Sequence, residues 1–376
     1  MIYLDHAATT PLRPEAAEAM DPFLRGTFGN TSGSHGISRR AKNALEEARE
    51  GAAGLLGAAP GEVIFTSGGT EADNLAIKGA ALPGAGGVVT VASEHEAVLE
   101  SAHYVERMGC RVDILGVDHH GVVDPGRVAA AVDRQTALVS VMAINNETGT
   151  RQPIAQITEL VKRGNPRTLV HSDAVQAFST LDLNPEGLGL DLLSLAAHKF
   201  GGPQGVGLLY CRSGVILEPL LHGGGQEFGR RSGTHDVAGV VGMVAAMMAA
   251  AADRDRFRRE VAEARRTFES KLSDRAERTV PEALTSPQHS HLRFREENDT
   301  MLVRLDRLGL AASAGSACHS GATTVSHVLS AMGLSREQAR RSLRFSFGWT
   351  STVAEAGEAA DLVIEAIESQ VERVTV

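Results

Sequence analysis

Short apolar runs alternate with longer amphipathic ones along roughly the first two-thirds of the chain. The apolar runs, at 63–67, 88–93, 111–117, 137–144, 168–172, 190–196 and 205–211, have the length and β-branched content of buried strands. Between them, 39–56, 71–80, 96–108, 125–132 and 154–163 repeat apolar residues at helical spacing. Punctuation agrees: Asp124-Pro125 is a helix start, and Gly57, Gly109 and Gly164 stand where helices should stop. Strands alternating with helices predict an α/β unit with a mostly parallel sheet, whose ligand sits beyond the carboxyl ends of the strands. The Ala- and Gly-rich run 237–252 reads as a buried helix. From Asp253 the texture changes: a highly charged helix over 253–272, short strands near 291–295 and 343–347, and a closing helix from Val353 predict a second, α+β unit. The mixed-sign run 254–266 reads as a solvated helix face.

Bulk properties narrow the function classes. The 376 residues suffice for one large and one smaller domain, with 43% hydrophobic and 22% charged residues. A formal charge of −9 argues against direct nucleic-acid binding. No secretory leader is visible after Met1, and no uninterrupted apolar stretch approaches membrane-spanning length, so no membrane role and a reducing cytoplasm are expected. Cys110, Cys211 and Cys318 are far apart and form no CxxC pair, which suggests neither a disulfide framework nor a metal site.

Candidate chemistry gathers after the strands. The sequence SGGTE at 67–71 opens a helix, and glycines with free helix-start amides suit a phosphate, although a plain strand–helix turn reads the same way. There is no GK[ST] and no GxGxxG, so it is not a nucleotide loop of either kind. Asp173 ends a strand, where it could hold a protonated ring nitrogen or simply cap the next turn. His198-Lys199 follows the buried run LLSLAA, and an amine placed there is costly unless charged partners or covalent chemistry explain it. Such an amine can form a Schiff base with a carbonyl cofactor.

Taken together and in order, these segments resemble the class V aminotransferase family and, within it, the cysteine desulfurases. The matching stretches are YLDHAATTP at 3–11, FTSGGTEADNL at 65–75, EHEAV at 94–98, NNETG at 145–149 and HSDAVQ at 171–176. They continue with HK at 198–199, GGGQE at 223–227, RSGT at 231–234, GSAC at 315–318 and LRFS at 343–346. The resemblance implies an α/β pyridoxal-phosphate-dependent transferase fold of the aspartate aminotransferase type, assembled as a homodimer. It implies a large cofactor-binding domain (16–252), a small C-terminal domain (253–376) carrying the Cys318 loop, and a segment 1–15 packing with the small domain. It further implies that Lys199 anchors pyridoxal 5'-phosphate, Asp173 pairs with the ring nitrogen, and His95 stacks on the ring and relays protons. Asn146 and Gln176 would lie near the phenolic oxygen and the substrate. Gly69, Thr70 and His198 would bind the phosphate, joined by Thr234 of the other subunit, and Arg344 would clamp the substrate carboxylate. For His119, His120, His289 and His291 a satisfied structural role is the better expectation.

Cys318 sits in AGSACHSGATT (314–324), a run of small residues suited to a loop that carries a thiol, with His319 placed to lower its pKa. Cys110 and Cys211 abut apolar strands and read as inert. The implied reaction turns L-cysteine into L-alanine and leaves a persulfide on Cys318, which passes to an acceptor protein for iron–sulfur assembly or thiolation. Alternatives are a selenocysteine lyase, a C–S lyase or aminotransferase of the same class, and a non-catalytic scaffold. Four positions depart from the family pattern: Ala196 replaces a phosphate-binding serine, Gln204 a lysine, and Phe228 and Trp349 arginines.

Overall fold

The computed structural model describes residues 1–84, 86–295, 300–314 and 325–374. The first half runs β1 (Ile2–Tyr3), α1 (Pro14–Arg25), α2 (Gly36–Leu56), β2 (Val63–Thr66), α3 (Gly69–Ala81), β3 (Gly87–Val91), α4 (Glu96–Arg107), β4 (Val112–Leu115), α5 (Pro125–Ala131), β5 (Thr136–Ser140), α6 (Ile154–Gly164), β6 (Leu169–Asp173), β7 (Leu192–Ala196) and β8 (Gly207–Cys211). These strands, β1 excepted, form one sheet in the order β2-β8-β7-β6-β5-β3-β4. Only β8 runs against its neighbours, so the sheet is mostly parallel, as expected.

Side-chain alternation shows why the sheet is covered on both faces. Val63, Phe65, Val89, Val139, Val170, Leu193 and Leu195 point into a core shared with α2 and the helix that follows β8. Ile64, Val88, Leu138, Leu192 and Leu209 point into a second core under α3 and α4. The strand expected over 137–144 ends at Ser140; Val141 and Ala143 continue by bonding the backbone of His171 and Asp173. Helix α1 escaped the sequence reading, because Ala16 is its one buried residue and Pro22 interrupts its pattern.

The runs 237–252 and 253–272 are one helix, α7 (Val237–Lys271). At ~1.5 Å per residue, its 35 residues extend about 50 Å. Val240, Met243 and Met247 join the core of the large sheet, whereas Phe257, Val261 and Phe268 join a separate core. The helix is thus long and apolar enough to cross a membrane, contrary to expectation, but its apolar stretch is largely spent inside the fold. Nor is 254–266 simply a solvated face: Arg265 is 1% exposed and pairs with Glu282.

The remaining elements are β9 (Ala276–Arg278), β10 (His289–Phe294), α8 (Met301–Arg307), β11 (Leu310–Ala311), α9 (His327–Ala331), α10 (Arg336–Arg340), β12 (Ser342–Ser346) and α11 (Val353–Val374). Strands β12-β10-β9 make an antiparallel sheet packed on α8, α11 and the second half of α7. The chain's start is built into this region: β1 pairs in parallel with β11, and the Ala7 amide donates to Ser346 Oγ at 2.8 Å.

Candidate active site

Parallel strands bring their carboxyl ends to one edge, and the expected residues gather there. Strand β2 ends at Thr66, and the chain turns through Gly68 (φ 152°), a conformation open to glycine and few others. Helix α3 then begins at Gly69, whose first-turn amides have no carbonyl partner within the helix. A side chain at position 69 would collide with Val175 Cγ2, at 2.7 Å, so the turn can pack closely only with glycine there. Asp173 is the last residue of β6, and β7 runs into a tight turn over Ala197–Lys199.

These ends surround a cavity of about 220 Å³. Gly69, Thr70, His95, Asn146, Asp173, Gln176, His198 and Lys199 all line it, together with Asp73, Met142, Val175 and Ala196. Arg344 on β12 reaches the same place from the small sheet: Nη1 donates to the Asn146 carbonyl at 2.9 Å and Nη2 to Asp5 Oδ1 at 2.7 Å. Thr234 is exposed and does not line the cavity of its own chain. Cys318 and His319 lie outside the described residues. The segments beside them do not: Ser313 and Arg344 exchange two backbone hydrogen bonds. On the other side, Ser326 Oγ donates to Glu147 Oε2 at 2.9 Å and His327 Nε2 to the Glu94 carbonyl at 2.9 Å.

The amine of Lys199 donates to the carbonyls of Ala7 at 2.6 Å and Ala8 at 2.7 Å. Burial, and then the Arg344 cation, push its pKa down to about 8 against the opposing pull of Asp173 and Asp5. His198 Nδ1 meets Thr9 Oγ1 at 3.1 Å, and burial followed by Lys199 lowers its pKa to about 4, so the ring is neutral at pH 7. Asp173 Oδ1 accepts from the Val175 amide at 2.9 Å, so the capping role and a place on the cavity wall coexist. Burial raises its pKa. The His95 ring caps α4 through the Ala97 amide at 3.1 Å while facing the cavity, and Gln176 Nε2 donates to the Ala7 carbonyl at 2.8 Å.

Three groups here were not read from the sequence. Asp5 holds Arg344, and Asp73 and Glu94 are fully buried carboxyls beside Asp173. A signal existed for Asp73: it shares a buried side of α3 with Ala76 and Ile77, three and four residues on, an anomalous place for an acid. The other histidines divide. His119 is exposed and His291 bonds Thr279 at 2.8 Å, but His289 is buried with neither ring nitrogen hydrogen-bonded, so it is not the satisfied residue expected. Cys110 and Cys211 are buried, and burial raises both thiol pKa values.

An amine at a strand end, a carboxyl at the next strand end, a neutral histidine and a helix start form the donor set for a carbonyl, a ring nitrogen and a phosphate on one molecule. This fold and site define a pyridoxal-phosphate-dependent enzyme. The class V aminotransferase model matches residues 2–357. A cysteine desulfurase IscS of Dictyoglomus turgidum is 42% identical over 98% of this chain and 94% of its own. The structure of a NifS-like protein superposes with TM-score 0.92 at 36% identity, covering 98% and 99% of the two chains. That of SspA in complex with cysteine gives 0.82 at 35%, covering 92% and 99%. The chain belongs to the cysteine desulfurases of the class V aminotransferase family.

Proposed function

We propose that the chain is a cysteine desulfurase working through Lys199 and Cys318. The observation that carries this reading is the convergence of the Lys199 amine, Asp173 and Arg344 on one cavity, with both flanks of the Cys318 segment tied to its rim.

Pyridoxal phosphate, when bound, supplies an electron sink for the substrate α-carbon. Lys199, with its pKa near 8, furnishes neutral amine as the anchor and then accepts and returns the α-proton. Asp173 would hold the proton of the ring nitrogen, and His95 would lie against the ring. The Gly69 and Thr70 amides, neutral His198 and Thr234 of a second subunit would hold the phosphate. Asn146 and Gln176 orient the phenolic side. Arg344 exchanges Asp5 for the substrate carboxylate, a swap between like partners. Cys318 thiolate then attacks the cysteine sulfur: an S–S bond forms, the C–S bond breaks, and its electron pair stays with the three-carbon fragment. That fragment takes up protons and leaves as alanine. The Cys318 sulfur is oxidised to the persulfide level and the substrate carbon is reduced, so no outside oxidant is needed. A homodimer completes the phosphate site, an acceptor protein removes the persulfide, and a reducing cytoplasm keeps the thiol available.

The test is the fate of sulfur. Incubation with L-cysteine should give one alanine per sulfur released and a persulfide on Cys318. Cys318→Ser should keep the bound cofactor and lose both products; undiminished desulfuration by it would refute the assignment.

A further inference from the structure

Behind the expected ring-binding carboxylate lies a buried polar cluster that the reaction above does not use. Ser140 on β5, His171 and Asp173 on β6, and Ser194 on β7 share one sheet face: Ser140 is in register with His171, and Ser194 with Asp173. Helix α3 lies across that face and lowers Asp73 onto it. His171 Nδ1 meets Ser140 Oγ at 2.9 Å and Nε2 meets Ser194 Oγ at 2.9 Å, and Ser194 also bonds Asp73. Asp73 Oδ1 lies 3.6 Å from His171 Nε2 and accepts no hydrogen bond, although the residue is 1% exposed.

Charge counting decides what this cluster is. The charged and titratable groups facing Asp73 are Asp173 at the end of β6, Glu94 beyond β3, and His171 beneath it. Burial keeps His171 neutral, so it supplies no counter-charge. No arginine or lysine pairs with Asp73 among the described residues. Two buried carboxyls that act on each other cannot both ionise easily, and the one with a cation and a backbone amide beside it retains the charge. Asp173 feels the Lys199 amine and accepts the Val175 amide; neither acts on Asp73.

We propose that Asp73 is a positioning residue for the cofactor ring: it carries a proton, and thereby leaves Asp173 as the single charge facing the ring nitrogen. This deepens the reading of Asp173 given above and rests on it. The same arrangement explains an acid on the buried side of α3, where a leucine would otherwise pack. A permanently charged Asp73 would repel Asp173 and favour protonation of Asp173, loosening its hold on the ring nitrogen's proton.

Infrared difference spectroscopy of the whole protein at pH 8 tests this directly. A protonated carboxyl band should be present in the wild type, remain in Glu94→Gln in reduced strength, and lose a component in Asp73→Asn. In the holoenzyme, Asp73→Asn, neutral like the acid it replaces, should leave the pH titration of the visible cofactor band within about twofold in its proton dissociation constant. Asp73→Glu serves as the conservative control for packing. Absence of a band component lost in Asp73→Asn would overturn the proposal, as would a tenfold or larger shift of the cofactor titration in that variant. Failure of the wild type to take up pyridoxal phosphate would instead refute the underlying site reading, because the infrared band is read without cofactor.

Discussion

Lys199 can capture a carbonyl only as the neutral amine, so its depressed pKa predicts when the empty protein can load its cofactor. An ordinary lysine near 10.4 is about 0.4% neutral at pH 8; with its pKa pushed to about 8, Lys199 is about half neutral there. At pH 8 the pool of reactive amine is therefore on the order of 100-fold larger than for an exposed lysine. The sign is fixed by the causes: burial and Arg344 disfavour the ammonium, while Asp173 and Asp5 favour it. Arg344→Gln should raise the pKa and move the loading profile to higher pH, whereas Asp5→Asn should lower it. The assay mixes cofactor-free protein with pyridoxal phosphate in a stopped-flow instrument between pH 6.5 and 10 and follows the visible band. Division by the rate constant of N-acetyl-lysine per neutral amine, corrected for its own pKa of about 10.4, removes the cofactor's own titration. The acid limb should be half-maximal near pH 8. A midpoint above about 9.5, or a downward move in Arg344→Gln, would refute the reasoning.

Other outcomes follow from the packing. Arg49 and Glu227 form a buried bidentate pair that also receives the Phe65 amide and His235, and its Glu227→Gln variant should lose about 3–5 kcal/mol in denaturant unfolding. Burial raises the Glu227 pKa, but the bonds from Arg49 and His235 outweigh it and hold it at about 2. The pair's contribution, about 3 kcal/mol, should be full above about pH 4.5 and disappear as pH falls toward 2. Ala196→Ser should restore a hydroxyl at the phosphate end, where Ala196 lies 3.5 Å from a side-chain position on Gly69, and tighten cofactor binding about fivefold by equilibrium dialysis. In Gly348→Ala the new methyl overlaps the His6 ring, so the variant should lose about 1–3 kcal/mol and loosen the chain's start, visible as faster amide exchange over residues 2–8.

The sheet was legible because its strands are buried on both faces and its helices are amphipathic, so period and punctuation agree. Helix α1 and the reversed direction of β8 were not, since neither follows from local pattern. Site residues at strand ends, such as Asp173 and Lys199, could be found because position along the chain predicts position in the sheet. Asp5, Glu94 and the Ala7 and Ala8 carbonyls could not, because their meaning comes from partners more than a hundred residues away in Arg344 and Lys199, or around fifty in Met142. The departures at Phe228 and Trp349 have partners of their own: Arg49 lies 5.1 Å from the Phe228 ring centroid and Arg13 5.1 Å from that of Trp349.

The threading of the chain's first residues beneath the small sheet has a consequence for biosynthesis. Ala7 waits for Ser346, 339 residues downstream, before its bond can form. At roughly 5–20 residues per second, a nascent chain spends about 20–70 s before this tie is made, its first segment meanwhile able to bond Gln176, His198 and Lys199. The carbonyls that hold the Lys199 amine belong to that segment, so the amine's surroundings are complete only once β12 has joined it. Arg344, a cation that lowers the pKa of that amine, arrives on the same strand, so one late pairing both clasps the first segment and finishes tuning the lysine.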